Sequence, residues 1–296
     1  MDAPDLRGRT ILVTGANAGI GYWCVEKLAS RGARVLLGCR SAERAATAVA
    51  AVQGHVPDAD LRVLPLDLGS LDGIARAASA VDESIDAVIC NAGVKAATPE
   101  ARTTDGLDLM VGTNFLGHLA LIAQLDPMLA ADARVVAVGS LAHRFAALDP
   151  ARITAPWRGS SLRQYGRSKA ALMAFAFELD RRWSGTGRSA LCAHPGYAVD
   201  PLTAERPGLV TGSRLMRALA VPTRVIVQGK DDGARPIVHA ATATDAASGD
   251  YWGPGGLLEF RGAPTRVVAS DAVRSPATGA ALWSAAEAAT GVRFAS

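Results

Sequence analysis

Tyr165 and Lys169 stand four positions apart in residues 164–183, a segment whose apolar spacing predicts a helix. Residues i and i+4 lie on one face of a helix, so the phenol and the ammonium are predicted neighbours. A nearby cation stabilises a phenolate and lowers the pKa of tyrosine toward the range useful for proton transfer. Only four of the 31 basic residues are lysines. This favours a specific requirement for an ammonium at position 169 over a chance pair on an exposed helix.

A glycine-rich turn follows the first predicted strand and reads T-G-x-x-x-G-x-G from Thr14 to Gly21. Gly15 would allow the tight turn, Gly19 would let the backbone approach a pyrophosphate, and Gly21 would let the helix pack closely against the sheet. The free N–H groups at the start of the next helix favour phosphate binding. Tight packing alone is the alternative explanation, but the position directly after a strand favours a nucleotide site.

The end of the second predicted strand indicates which dinucleotide binds. A carboxylate there would bond the ribose 2′-hydroxyl of NAD(H). The sequence has Cys39-Arg40-Ser41 instead, in which Arg40 can pair with a 2′-phosphate and Ser41 can donate a hydrogen bond to it. A surface arginine is often only solvated, yet the missing acid predicts NADP(H), with NAD(H) as the less favoured cofactor.

Short apolar runs alternate with helical segments along most of the chain. The predicted strands are residues 10–14, 34–38, 61–66, 86–90, 134–139, 189–193 and a last one within 251–260; the predicted helices are residues 19–30, 41–52, a short one from Ser70, 103–125, 164–183, 231–242 and 275–290. Runs that are apolar throughout are buried on both faces, so the alternation predicts a parallel sheet with right-handed crossovers. We therefore predict an α/β fold, a doubly wound parallel sheet of the Rossmann type, with residues 1–296 in one domain. The pattern loosens after residue 195, and residues 197–228 are predicted to form a substrate lobe or lid.

The composition excludes several classes of protein. With 49% hydrophobic and 20% charged residues, the 296-residue chain is typical of a globular protein. The net charge is +3 and the arginines are scattered along the chain, so we predict no nucleic-acid partner. Residues 1–9 are polar and no apolar run reaches the length of a membrane-spanning helix, so we expect neither a signal peptide nor a spanning helix. The four cysteines lack metal-ligand spacing, so we expect no metal site. We also expect reduced thiols, which are typical of a cytoplasmic location. A homo-oligomer is compatible with the sequence.

Several motifs occur together in one order along nearly the whole chain. After the glycine-rich turn come Asn91-Ala92-Gly93, then Ser140, then Tyr-x-x-x-Lys, and then Pro195-Gly196. In this set and order the chain resembles the short-chain dehydrogenase/reductase family. The segments Cys39-Arg40, Asn114-Phe115-Leu116-Gly117-His118 and His194-Pro195-Gly196 look most like its retinol dehydrogenase and protochlorophyllide reductase branch.

The resemblance implies a role for each matching position. Tyr165 would be the general acid for carbonyl reduction and the base for alcohol oxidation. Lys169 would lower the pKa of that tyrosine and hold the nicotinamide ribose. Ser140 would bond the substrate oxygen, and Asn114 would support a proton-relay water near Lys169. The implied cofactor contacts are Gly15, Asn17, Gly19, Ile20, Gly21, Arg40, Ser41, Asp67, Leu68, Asn91, Ala92, Gly93, Tyr165, Lys169, Pro195 and Gly196.

Some of these residues also have structural explanations. Asn91 and Asn114 could tie loop backbones, and Ser140 could cap a helix. The remaining polar and aromatic candidates are interpreted as structural, surface or packing residues: His118, His143, His194, Trp157, Trp252 and Trp283.

Taken together, the residues predict an NADP(H)-dependent oxidoreductase that moves a hydride between nicotinamide and an alcohol or carbonyl substrate. A non-catalytic NADP(H)-binding or redox-sensing protein is the main alternative, and an isomerase or dehydratase is a weaker one. Apolar residues in 141–162 and 197–228 suit either a lipophilic substrate or packing of the lobe. One position departs from the family: Asp200 stands where relatives usually carry a threonine for the nicotinamide carboxamide, and Thr203 is displaced.

Overall fold

The computed structural model describes residues 4–96, 98, 100–157, 159–209 and 212–294. Its strands are β1 (Thr10–Thr14), β2 (Arg34–Cys39), β3 (Leu61–Pro65), β4 (Ile85–Cys90), β5 (Leu129–Val138), β6 (Ser189–Ala193), β7 (Ala198–Val199), β8 (Gln228–Gly229), β9 (Tyr251–Pro254) and β10 (Pro264–Arg266). Eight of them form one sheet in the order β10-β9-β6-β5-β4-β1-β2-β3, and β7 pairs with β8 in a separate two-stranded sheet. The neighbours in the large sheet are parallel except β9 and β10.

Helices connect these strands. They are α1 (Gly19–Ala29), α2 (Ala42–Gln53), α3 (Leu71–Ser79), α4 (Leu109–Val111), α5 (Gly117–Leu125), α6 (Ser161–Arg182), α7 (Arg214–Ala220), α8 (Lys230–Gly233), α9 (Arg235–Thr242), α10 (Asp271–Arg274) and α11 (Pro276–Thr290). A π-helical turn, Gly112–Leu116, joins α4 to α5. A 3-10 turn, Leu141–Phe145, follows β5.

Alternate residues of the parallel strands in the large sheet enter two separate cores. In β1, Leu12 packs with α3, α5, α6 and α11 on one face, whereas Ile11 and Val13 pack with α1, α2 and α9 on the other. All five residues of β1 are buried, as the uniformly apolar run predicts. The doubly wound α/β fold predicted from the sequence is confirmed.

Two predicted helix boundaries are wrong. The helix predicted over 103–125 begins at Leu109, because the Asp108 carboxylate caps it by accepting hydrogen bonds from the backbone N–H groups of Met110 (3.1 Å) and Val111 (2.9 Å). Helix α6 begins at Ser161 rather than 164, with Ser160 as its N-cap. Tyr165 therefore lies in the second turn of α6 and does not open the helix.

The segment predicted as a substrate lobe, 197–228, contains β7, α7 and two 3-10 turns, and its residues 210 and 211 lie outside the described residues. The pairing of Val199 with Gly229 closes the base of this segment. Its apolar side chains divide into two groups. Leu202 is buried, whereas Leu215, Met216 and Leu219 of α7 are more than half exposed. Within the described ranges, no helix combines the length and apolar character needed to cross a membrane.

Candidate active site

A cavity of about 780 Å³ lies at the carboxyl edge of the sheet, where ligands bind in open α/β folds. The predicted site residues line it, with the exception of Gly21, Asn114 and Gly196. Arg40 and Ser41 lie on the loop after β2, while Ser140, Tyr165 and Lys169 come from the end of β5 and from α6. The structure thus brings the residues at the end of β2 and the Tyr-x-x-x-Lys pair into one cavity.

The glycine-rich turn has the backbone geometry that its sequence predicts. Gly15 and Gly19 have φ angles of +65° and +58°, in the left-handed region that favours glycine. A Cβ atom at Gly21 would lie 2.2 Å from the Gly15 carbonyl oxygen, so Gly21 permits close packing instead of lining the cavity. Helix α1 has no side-chain cap at Ala18 and no acidic residue in its first turn, so its first N–H groups stay open to an anion.

Asn91 ties the glycine-rich turn to the end of β4. Its Nδ2 donates to the carbonyl oxygen of Thr14 at 2.9 Å. The Thr14 hydroxyl accepts from the backbone N–H of Ala92 at 2.9 Å and lies 2.9 Å from His118 Nε2. His118 Nδ1 in turn lies 3.0 Å from the Asn114 carbonyl oxygen, which assigns the ring proton to Nδ1. Burial lowers the pKa of His118 to about 3, so this ring is neutral.

Asn114 lies in the π-helical turn and is fully buried. Its Oδ1 accepts from the Val94 N–H at 2.7 Å, and its Nδ2 donates to the Val94 carbonyl oxygen at 3.0 Å and to Ser168 Oγ at 2.9 Å. The Ser168 hydroxyl donates to the Tyr165 carbonyl oxygen at 2.8 Å. Asn114 therefore ties the loop after β4 to α6, as its structural explanation predicts, and it holds the backbone that carries Tyr165.

Gly93 separates Asn114 from Lys169. A Cβ atom there would lie 3.2 Å from Lys169 Nζ and 3.5 Å from Asn114 Oδ1. The ammonium is buried and donates to the carbonyl oxygen of Val138 at 2.9 Å. Burial lowers the pKa of Lys169 to about 8.

The pKa of Tyr165 differs from the prediction. Burial raises it above its usual value, and a hydrogen bond between its phenol and the Ser140 hydroxyl opposes that shift. The predicted lowering by Lys169 is therefore not the net effect in this structure, because desolvation of the phenol outweighs the groups that favour phenolate. Ser140 also caps the following 3-10 turn by accepting from the Ala142 N–H at 3.2 Å.

The opposite end of the cavity carries two arginines. Arg40 is exposed, and Arg44, one turn into α2, lines the same wall. Ser41 caps α2 by accepting from the Arg44 N–H at 3.3 Å, which leaves its own proton free to be donated. Asp67 accepts from the Gly69 N–H at 2.9 Å, and Leu68 beside it is buried. Two guanidinium groups at this end can pair with a phosphate, and the Glu43 carboxylate lines the same cavity.

The segment after β6 only partly follows the prediction. Pro195 lines the cavity, but Gly196 faces away from it. A Cβ atom at Gly196 would lie 2.4 Å from the Phe260 carbonyl oxygen, so packing explains this glycine. Asp200 forms an ion pair with Lys230, with 2.6 Å between Oδ1 and Nζ. Thr203 is buried and donates to the Val199 carbonyl oxygen at 2.8 Å.

Four residues of this site were missed by sequence reasoning: Thr14, Arg44, Ser168 and Lys230. Ser168 and Arg44 lie three residues after Tyr165 and Ser41, so helical spacing could have identified them. Thr14 was visible as the last residue of β1. No signal in the sequence connects Lys230 with Asp200, because the lobe separates them.

Comparisons with known proteins agree with this geometry. A family model described as short chain dehydrogenase matches residues 9–207. Retinol dehydrogenase 12 of Mus musculus is 32% identical over 84% of this chain and 78% of its own length. Dehydrogenase/reductase SDR family member 13 of Bos taurus is 40% identical over 65% of this chain and 52% of its own length. The alignment with the WW domain-containing oxidoreductase of Drosophila melanogaster covers 60% of that protein. The chain thus spans little more than half of these last two relatives.

Solved structures share the fold. A protein from Mycobacterium paratuberculosis, described as putative uncharacterized, is 32% identical with a TM-score of 0.81, over 100% of this chain and 98% of its own. The Pseudomonas aeruginosa RhlG/NADP active-site complex is 25% identical with a TM-score of 0.61, over 83% of this chain and 93% of its own.

Proposed function

Because the chain belongs to the short-chain dehydrogenase/reductase family, in its retinol dehydrogenase-like branch, we propose an NADP(H)-dependent oxidoreductase with Tyr165 as general acid and base. Family members act on alcohol and carbonyl groups. The observation that carries the proposal is the single cavity that joins Arg40 at one end to Ser140, Tyr165 and Lys169 at the other.

The residues present fit a dinucleotide. The open N–H groups of α1 would hold its diphosphate, and Arg40 with Arg44 would hold a 2′-phosphate. Gly93 leaves a space beside the Lys169 ammonium that a Cβ atom at position 93 would fill. When bound, the nicotinamide supplies or accepts the hydride.

The chain's own residues would move the proton and fix the substrate. Ser140 donates a hydrogen bond to the substrate oxygen and orients it toward Tyr165 Oη. In carbonyl reduction the Tyr165 hydroxyl gives its proton to that oxygen, and in alcohol oxidation the tyrosine takes it back. The raised pKa of Tyr165 keeps the phenol protonated at neutral pH, so the proton that carbonyl reduction needs is present. The Lys169 ammonium stabilises the phenolate that remains.

Replacing Tyr165 with Phe tests the mechanism. We expect kcat to fall by a factor of about 10²–10⁴, because the proton donor is lost. NADPH binding, followed by its fluorescence, should remain within a few-fold of the original protein. Tyr22→Phe, which removes a phenol hydroxyl on α1 outside the cavity, is the matched control and should retain activity. An unchanged rate in Tyr165→Phe, or nucleotide binding without turnover over a broad panel of alcohols, aldehydes and ketones, would contradict the proposal.

Cofactor preference is tested separately at Arg40. We expect Arg40→Asp to weaken NADPH binding by about tenfold to a hundredfold and to shift preference toward NADH, because a charge-assisted pair becomes a repulsion. The measurement is kcat/KM with each coenzyme, and Arg293→Asp, an exposed charge reversal outside the cavity, serves as the control. Equal use of both coenzymes by the unmodified protein would overturn the role given to Arg40.

A lipophilic substrate is supported by exposed apolar side chains in the turn that follows Ser140 and in the segment 197–228. Phe145, just after Ser140, is 81% exposed, and Leu215 and Leu219 of α7 are each 69% exposed. Packing of the lobe against the sheet does not account for them, since they contact solvent. The names of the retinol dehydrogenase relatives support the same substrate class. A panel of short and long aliphatic aldehydes with NADPH tests this: kcat/KM should rise with chain length, and a flat series would contradict it.

A further inference from the structure

An ion pair outside the Tyr-x-x-x-Lys set faces the glycine-rich turn. Lys230 Nζ lies 2.6 Å from Asp200 Oδ1 and also lines the coenzyme cavity. A Cβ atom added at Gly19 would lie 3.7 Å from this ammonium. The cation therefore stands over the part of the turn whose backbone is open to an anion.

Strand pairing explains how two residues thirty positions apart meet. Val199 pairs with Gly229 in the parallel β7–β8 ladder, so Asp200 and Lys230 are the next residues on the two strands at the same edge. The Lys230 N–H donates to the Thr203 hydroxyl at 2.8 Å, which fixes the start of α8. The β7–β8 pairing thus brings Lys230 to the wall of the cavity and places Asp200 beside it.

The surroundings leave the Lys230 charge available to a ligand. Its side chain is 24% exposed, and that of Asp200 is 47% exposed. Helix α1 contributes no carboxylate in its first turn and no side-chain cap. A dinucleotide diphosphate on the turn would carry negative charge toward Lys230, and an ammonium binds phosphate as a point charge.

We propose that Lys230 is a ligand of the coenzyme diphosphate and that Asp200 is a positioning residue that limits this affinity. The proposal rests on the proposed dinucleotide binding but not on the choice between NADP(H) and NAD(H), because both carry the diphosphate. Lys230 closes the diphosphate site from the lobe side, opposite the N–H groups of α1. Asp200 competes for the same ammonium and adds a like charge near the phosphates, which promotes release of the coenzyme.

Direct binding measurements on the full chain test this, with no turnover required. NADPH and NADH are titrated by fluorescence, and 2′-phospho-ADP-ribose and adenosine 2′-monophosphate by calorimetry. We expect Lys230→Met to weaken the three diphosphate-containing ligands about tenfold or more, as expected for loss of a charge-assisted contact. Adenosine 2′-monophosphate lacks the diphosphate and should bind unchanged. Lys230→Arg should stay within a few-fold of the original protein.

Replacement of the Asp200 carboxylate provides the second test of the proposal. We expect Asp200→Asn to tighten NADPH binding several-fold and to slow coenzyme release in stopped-flow displacement. Lys27→Met, a loss of one positive charge on α1 outside the cavity, is the control and should leave all affinities unchanged, and thermal unfolding should show each variant folded. Unchanged diphosphate affinity in Lys230→Met, or weaker binding in Asp200→Asn, would overturn the inference. If the unmodified protein binds neither NADPH nor NADH, the proposed function itself fails.

Discussion

At the scale of single residues, Lys169 combines a positive charge with burial, and burial favours the neutral form of the amine. Its ammonium is buried among Gly93, Asn114 and the end of β5, and its hydrogen-bond acceptor within the described part of the chain is the Val138 carbonyl oxygen. Burial of a charge costs free energy, and the pKa lowered to about 8 expresses that cost. The chain keeps a cation at a position where folding alone would favour a neutral side chain.

Replacing Lys169 with Met should therefore stabilise the protein while it abolishes activity. We expect the free energy of unfolding at pH 7, without coenzyme, to rise by about 2 kcal/mol after allowance for the lost hydrogen bond. Between pH 8 and 10.5 the unfolded chain binds more protons than the folded one, so the stability of the original protein rises with pH and the difference shrinks. Urea unfolding at pH 7, 8 and 9.5 measures this, with Lys27→Met as the control. A variant that is less stable at pH 7, or a difference independent of pH, would contradict the explanation.

The site residues that the sequence predicts are those that carry local motifs. The sequence patterns of strands and helices determine where such residues lie in the fold. Examples are the strand ends near Gly15, Asn91 and Ser140 and the helical spacing of Tyr165. Lys230 could not be predicted, because its place over Gly19 depends on the β7–β8 register. The direction of the Tyr165 pKa shift could not be predicted from the sequence either, because it depends on how far the folded chain excludes water from the phenol.

At the scale of elements, the strands were predicted within one or two residues over most of the sheet, because runs such as 10–14 and 189–193 are apolar throughout. Beginning β5 at 134 missed its first residues, which lie at its more exposed end. Strand β10 was not predicted, because Pro264–Arg266 is short, polar and pairs antiparallel at the edge. Asp108 and Ser160 are residue types that often cap a helix, so they could have predicted the starts of α4 and α6. A prediction from apolar spacing alone does not use them.

The turn after β9 contains two consecutive left-handed residues, Leu258 (φ +53°) and Glu259 (φ +58°). This conformation directs the Glu259 carboxylate to Arg144, at 2.6 Å, and to within 3.1 Å of His194 Nε2. His194 and then Arg144 hold the pKa of Glu259 at about 2. Because Arg144 belongs to the 3-10 turn after Ser140, the strained turn after β9 helps to fix the position of that 3-10 turn.

The strain at Leu258 predicts an unusual response to glycine. Leu258 is 63% exposed, so its replacement removes little packing. We expect Leu258→Gly to raise the free energy of unfolding by up to about 1 kcal/mol, because a left-handed leucine is strained. Leu257→Gly, at an exposed neighbour without positive φ, should lower it by about 0.5–1 kcal/mol. Equal losses of stability in the two variants, measured by urea unfolding, would count against strain at this turn.

At the scale of the whole molecule, helix α11 supports α6, the helix that carries Tyr165 and Lys169. Trp283 of α11 stacks on Phe175 of α6 with 5.5 Å between ring centroids, and Phe294 packs on both rings. The Arg182 guanidinium lies 4.1 Å from the centre of the Trp283 ring. The position of Tyr165 and Lys169 therefore depends on contacts made more than a hundred residues later in the chain.

Trp283→Ala should test how much α11 contributes to the stability of the fold around α6. We expect the free energy of unfolding to fall by about 3 kcal/mol or more, since a buried indole is removed from a packed cluster. Trp157→Ala, which removes a half-buried indole outside α11, should cost less than half as much. Denaturant unfolding monitored by circular dichroism measures both losses. Similar losses for the two variants would show that α11 is not a main support of the fold.

The neutral His118 that links Thr14 to Asn114 has a consequence for kinetics. Burial lowers the pKa values of His118, His143 and His194, and it raises those of the Cys39 and Cys90 thiols to about 11 and 12. These three histidines and two thiols therefore keep their charge unchanged from pH 7 to 9, whereas Lys169 titrates within that range. A bend in the pH–rate profile near pH 8 would then report the Lys169 ammonium and not a histidine or a thiol.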